Sequence, residues 1–173
     1  LAAAKRILPI IDQKHNIFEN EKLDKLNVSS GTITFEKVNF NYNSDSRLIL
    51  KNVNLSISGG EMTSLVGHSG AGKSTILNLI PRFYDFSDGD IKIDNQSIKS
   101  KRLSSLRENI SLVSQETTLF DDTVLNNIKY ANLNATEQDV KEAAKLSFSE
   151  EFIDLLPNKY DTKIGENGIR LSG

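Results

Sequence analysis

The nine residues Gly67-His68-Ser69-Gly70-Ala71-Gly72-Lys73-Ser74-Thr75 carry the densest chemistry in the chain. They satisfy G-x-x-x-x-G-K-[ST], a loop built to hold the phosphates of a nucleotide. Glycines let the backbone curl so that several N–H groups converge on one anion. Lys73 adds a full positive charge for the β- and γ-phosphates, and the Ser74 hydroxyl is suited to Mg²⁺. His68 sits at a freely variable position of the motif, and nothing nearby sets it up as a base.

Such a loop needs a strand before it and a helix after it. Residues 62–66 form a short apolar run that reads as a buried strand, and residues 74–80 read as a helix stopped by Pro81. Upstream, residues 32–40 alternate, with Ile33, Phe35, Val38 and Phe40 apolar, and the spacing slips once, which predicts a bulge. Val53, Leu55 and Ile57 mark a second strand, closed by Gly59-Gly60. Ile91 and Ile93 mark another after the turn Ser87-Asp88-Gly89, residues 103–107 read as a short helix, and residues 110–113 as a further strand. The last sixty or so residues are mostly helical in pattern. Thr136-Glu137-Gln138-Asp139 resembles a capping box, with Val140, Ala143, Ala144, Ser147 and Phe148 following at helical spacing. Phe152, Ile153, Leu155 and Leu156 form another helical stretch before Pro157. At the other end, residues 1–13 place Leu1, Ala4, Leu8 and Ile11 on one helical face that Pro9 should bend, and residues 14–30 are polar and read as a linker.

The 173 residues suit one domain, and 38% apolar with 25% charged residues is ordinary globular composition. A net charge of −2 offers no basic field for nucleic acid. The lack of cysteine excludes a disulfide scaffold and thiolate metal sites, and fits a reducing compartment. Two histidines, His15 and His68, are too few for a histidine-rich metal centre. No apolar run approaches the roughly 20 residues that span a bilayer, and no signal-peptide pattern is found. The sequence starts at Leu1 and stops at Leu171-Ser172-Gly173, which reads as a piece of a longer polypeptide.

Kinases, GTPases, helicases and transport ATPases share the phosphate loop, so other residues must choose among them. Phe40-Asn41-Tyr42 precedes it. Ser111-Leu112-Val113-Ser114-Gln115-Glu116-Thr117-Thr118-Leu119-Phe120 follows it, and Asp161-Thr162-Lys163-Ile164-Gly165-Glu166-Asn167-Gly168 then leads into Leu171-Ser172-Gly173. In this order the segments resemble the nucleotide-binding domain of ABC transporters, over roughly residues 30–173. The resemblance implies an α/β P-loop NTPase fold of ABC type, with an antiparallel β subdomain, a parallel-sheet core and a helical subdomain, here incomplete. It implies ATP and Mg²⁺ as cofactors. Tyr42 would stack the adenine, and Gln115 of the Q-loop would reach Mg²⁺ or the attacking water. Residues 161–168 would be the exporter x-loop. Ser172 and Gly173 would open the LSGGQ signature, which caps the nucleotide held by the opposite subunit.

The upstream helix and linker favour the exporter branch. Residues 120–128 and 164–168 look most like bacterial lipid A exporters, although multidrug and peptide exporters share much of this. The resemblance therefore implies a half-transporter with a fused transmembrane domain, working as a homodimer at the cytoplasmic face of the inner membrane. Its cargo would be a lipid or other amphipathic substrate, and its partners would include no nucleic acid. The family's Walker B aspartate, catalytic glutamate, D-loop and switch histidine come after the signature. Ile153-Asp154 is followed by Leu155, and neither His15 nor His68 stands in the switch position. ATP hydrolysis is thus expected of the longer protein and not of these residues alone. Two alternatives from other classes are a soluble ABC ATPase and a non-catalytic nucleotide-binding module.

Overall fold

In the computed structural model of the chain, the described residues are 7–8, 17–42, 47–114 and 118–165. They divide into two compact units, Leu1–Ser111 and Leu112–Gly173. Most of the expected helix over residues 1–13, and His15, lie outside the described residues.

The first unit is built on strands β1 (Ile33–Phe40) and β2 (Leu50–Ile57), helix α1 (Lys73–Leu79), strands β3 (Asp88–Ile93) and β4 (Gln96–Ser97), and helix α2 (Leu103–Glu108). The four strands form one sheet in the order β2-β1-β3-β4, antiparallel throughout. Phe35 of β1 faces Leu55 of β2 and Ile91 of β3, so one face of the sheet is apolar across three strands. The slip in the β1 pattern is a bulge, with register shifts on both sides of Val38 against β2. Lys37 sits at φ 50° within it, its N–H held by the Asn54 side chain at 3.0 Å. The bulge absorbs the extra residue, so Phe35, Val38 and Phe40 all reach the core despite their uneven spacing. Gly89 is required opposite it. Its φ is 86°, and a Cβ there would collide with the carbonyl oxygens of Glu36 and Lys37. Leu79 of α1, Ile98, and Leu103 and Leu106 of α2 close the same core.

Residues 17–31 form no long element but are fastened to the sheet and to α2. Leu26 is buried in the core and donates its N–H to Ser105 Oγ at 3.0 Å. Arg102 donates to the Leu23 carbonyl at 2.6 Å, and Glu19 accepts from the Ser104 N–H at the start of α2 at 2.7 Å. Asp94 and Asn95, both at positive φ, make the two-residue turn between β3 and β4. The Asp94 carboxylate accepts from the backbone N–H groups of Ser29, Ser30, Gly31 and Thr32. Those bonds, with the Ser30 hydroxyl first among them, hold its pKa well below the usual carboxylate range.

Two expected strands take a different form. Residues 62–66 and 110–113 have no ladder partner among the described residues. Met62 is 99% exposed and Val113 is 93% exposed. A buried parallel strand takes its hydrogen bonds from neighbours on both edges, and no described strand lies beside either run. The described residues therefore form the four-stranded antiparallel sheet, and a parallel ladder is not among them.

The second unit holds α3 (Val124–Lys129), α4 (Glu137–Leu146) and α5 (Glu150–Asp154). Thr136 caps α4 as the sequence predicts. Its side chain accepts from the Asp139 N–H, and Asp139 returns the bond to the Thr136 N–H. Val124, Ala144, Ile153 and Ile164 form the core of this unit. No helix among the described residues is long and apolar enough to cross a membrane.

Candidate functional site

The phosphate loop lies between the exposed run at 62–66 and α1. Gly70 and Gly72 take φ values of 78° and 86°, in the left-handed region that glycine enters without strain. Gly72 is doubly constrained, because a Cβ there would stand 2.7 Å from Leu50 Cδ2 of β2. The loop is thus pressed against the antiparallel sheet where only glycine fits. The Ala71 N–H donates to the His68 carbonyl at 3.2 Å and closes the curl. Lys73 Nζ bends back over it, donating to the carbonyls of Gly67 at 2.9 Å and His68 at 2.7 Å. The ammonium group therefore stands at the mouth of the loop, where phosphate oxygens can take the place of those carbonyls as acceptors.

Gly67, His68, Ser69, Gly70, Ala71 and Ser74 are exposed around this mouth. The exposed Ser74 hydroxyl, next to the lysine, fits the donor chemistry of a Mg²⁺ ligand. Bound there, Mg²⁺ would neutralise charge on the phosphates. His68 takes part through its backbone carbonyl, and among the described residues its side chain has no role in the curl.

Thr75 behaves differently from its neighbours. It is buried at 6% exposure, and its hydroxyl lies 3.3 Å from the Tyr42 hydroxyl. Tyr42 is thereby joined to the first turn of the helix that follows the loop. The bulge in β1 and the buried Phe40 bring it there. The Tyr42 ring lies 4.9 Å from the Phe40 ring at 84°, and 4.9 Å from the Tyr84 ring at 86°. Tyr42 is nonetheless 45% exposed, which leaves ring surface for a ligand. The structure thus gathers Tyr42, Lys73, Ser74 and Thr75 within the first unit, as an aromatic surface joined to a phosphate loop. Tyr84 is the residue that the sequence reading missed. Its signal is the aromatic pair Phe83-Tyr84 directly after the helix stop at Pro81.

Gln115, Ser172 and Gly173 lie outside the described residues, as do residues 166–168 of the expected x-loop. In the second unit, residues 118–128 and 161–165 come together. The Val124 N–H donates to the Thr162 carbonyl at 3.0 Å, and the Ile164 N–H to the Asp122 carbonyl at 3.0 Å. Asp122 also accepts from the Asn126 side chain at 2.9 Å and the Thr123 N–H at 2.7 Å, which lowers its pKa. Asn127 exchanges amide bonds with the backbone of Phe120, at 2.9 Å and 3.1 Å. Two motifs that stand about forty residues apart in sequence are one knit surface here.

The sequence and fold are similar to those of known transport proteins. The chain is 46% identical over its full length to the ATP-dependent lipid A-core flippase of Coxiella burnetii (strain RSA 493 / Nine Mile phase I), of which it covers 29%. It is 44% identical, over 96% of its length, to a Staphylococcus aureus (strain NCTC 8325 / PS 47) protein named for multidrug export with ATP-binding/permease character, again covering 29% of the relative. The fold matches a bacterial Atm1-family ABC exporter solved with ATP bound, at a TM-score of 0.90 and 38% identity, covering 99% of this chain and 30% of that one. The chain therefore spans under a third of the relatives it matches. The ABC transporter family model matches residues 50–173, so the chain belongs to the ABC transporter family.

Proposed function

We propose that the chain is the ATP-binding part of an ABC exporter that couples ATP binding and hydrolysis to moving a lipid across the inner membrane. The observation that carries the nucleotide reading is the joining of Tyr42 to the phosphate loop through Thr75, with Lys73 over the loop mouth. Tyr42 offers a ring to adenine, the loop N–H groups and Lys73 hold the phosphates, and Ser74 holds Mg²⁺ beside them. Gln115 would reach the metal or the attacking water, and Ser172 and Gly173 would cap the nucleotide of a second copy. In that arrangement two copies close on two ATP molecules, and contacts to the γ-phosphate favour the closed state over the one that ADP supports. A fused membrane domain would follow that closure at the cytoplasmic face of the inner membrane. The lipid assignment rests on likeness to the lipid A-core flippase of Coxiella burnetii. A multidrug exporter is the second reading, favoured by the 44% identity to the Staphylococcus aureus relative.

The test is nucleotide titration of the intact protein. Lys73→Ala should remove most ATP binding, because it deletes the lysine of the loop, and unchanged affinity would sink the assignment. Tyr42→Ala should weaken ATP while sparing inorganic tripolyphosphate. For the cargo, ATPase activity in liposomes should rise with lipid A over a phospholipid background. Stimulation by hydrophobic cations and not by lipid A would favour the second reading.

A further inference from the structure

Tyr84 stands in a turn held from several sides. Pro81 ends α1, and Arg82, at φ 55°, reverses the chain. The Arg82 guanidinium pairs with Asp85 at 2.7 Å. Arg107 of α2 donates to the carbonyls of Pro81 and Arg82, each at 3.0 Å, and lies over the Phe83 ring at 5.3 Å. On the far side, the N–H and hydroxyl of Ser87 both donate to the Asn39 carbonyl, next to Phe40. The turn is therefore fastened to α2 and to the end of β1. Tyr84 leaves it to meet the Tyr42 ring edge-on at 4.9 Å, and lies 5.9 Å from the Phe40 ring. The Tyr42 ring is thus bounded by Phe40 and Tyr84, and its hydroxyl by Thr75. A tyrosine side chain has two rotatable angles, and contacts on its ring and its tip together restrict both.

We infer that Tyr84 is a positioning residue for nucleotide binding: it fixes the plane in which Tyr42 presents its ring to the base. This rests on the reading of Tyr42 as the adenine-stacking residue and extends it to a residue outside the phosphate loop. A ring held in place before the ligand arrives loses less rotamer freedom on binding, so removal of its neighbour lowers affinity for the base alone. The phosphate contacts do not pass through Tyr84 and are left intact.

The experiment is titration of the intact protein and its variants with ATP and with inorganic tripolyphosphate. Tyr84→Ala should weaken ATP by about two- to ten-fold, the range of an aromatic pair, and leave tripolyphosphate unchanged. Tyr84→Phe keeps the ring and should bind both as the parent does. In a Tyr42→Ala background, Tyr84→Ala should cost nothing further. If Tyr42→Ala weakens ATP selectively but Tyr84→Ala does not, the positioning role is wrong and the stacking role stands. If Tyr42→Ala shows no selective loss, the stacking role fails and this inference fails with it. Equal loss of ATP and tripolyphosphate in Tyr84→Ala would make Tyr84 a structural residue only. An additional loss in the double variant would make it a ligand contact in its own right. Either result overturns the positioning role.

Discussion

At the scale of single residues, one buried polar atom among the described residues is informative. The Tyr160 hydroxyl is buried with no hydrogen-bond partner among the described residues. Burial pushes its pKa up, with the nearby charges of Glu150 and Asp154 acting in the same direction. A buried hydroxyl left unpaired costs stability that a ring without it would not. Tyr160→Phe should therefore stabilise the protein by about 1 kcal/mol, read as a raised urea midpoint at unchanged slope. A lowered midpoint would show that the hydroxyl is paired in solution. The curl of the glycine-rich loop is legible in the sequence, because glycines at Gly70 and Gly72, where φ is positive, follow from type and spacing within nine positions. The Thr75 hydroxyl was legible only in part. Its place in the motif is plain, but the structure pairs that hydroxyl with Tyr42 across thirty-three residues of sequence. A contact of that kind leaves no local pattern.

At the scale of elements, periodicity found β1, β2, β3, α1, α2 and α4 because each buries one face against a core that the chain itself supplies. It also found the β1 bulge, since one slip in an alternating pattern has few other causes. The runs at 62–66 and 110–113 differ, because their apolar character has no described strand to pair with. An apolar run reports that a segment prefers burial and says nothing of which strand will lie beside it. The fastening of residues 17–31 leaves no pattern for a different reason: it is made of long-range bonds, to α2 from Glu19, Leu23 and Leu26, and to Asp94 from the backbone N–H groups of Ser29 to Thr32. That carboxylate is held below its unfolded value, so its contribution to stability is present above about pH 4 and is lost as pH falls through the lower folded value. Asp94→Asn should consequently lower the urea midpoint at pH 7. The gap between parent and variant should stay constant down to about pH 5 and narrow below pH 4. A gap that widens on acidification would contradict the anchoring role.

At the scale of the whole molecule, the first unit carries the aromatic cluster at Tyr42 beside the glycine-rich loop, and in the second unit residues 118–128 meet residues 161–165. Family membership connects the two sets of motifs, although the chain covers only 29% of the flippase it resembles. The central claim is that adenine sits at Tyr42 while its phosphates sit under Lys73. The most direct measurement is photolabelling of the intact protein with 8-azido-ATP, followed by trypsin digestion and mass spectrometry. Trypsin cuts after Lys37 and Arg47, so Tyr42 falls in a single short peptide of residues 38–47. The adduct should map to that peptide, excess ATP should compete it away, and Lys73→Ala should abolish it. An adduct confined to other peptides, or one that persists in Lys73→Ala, would contradict the central claim.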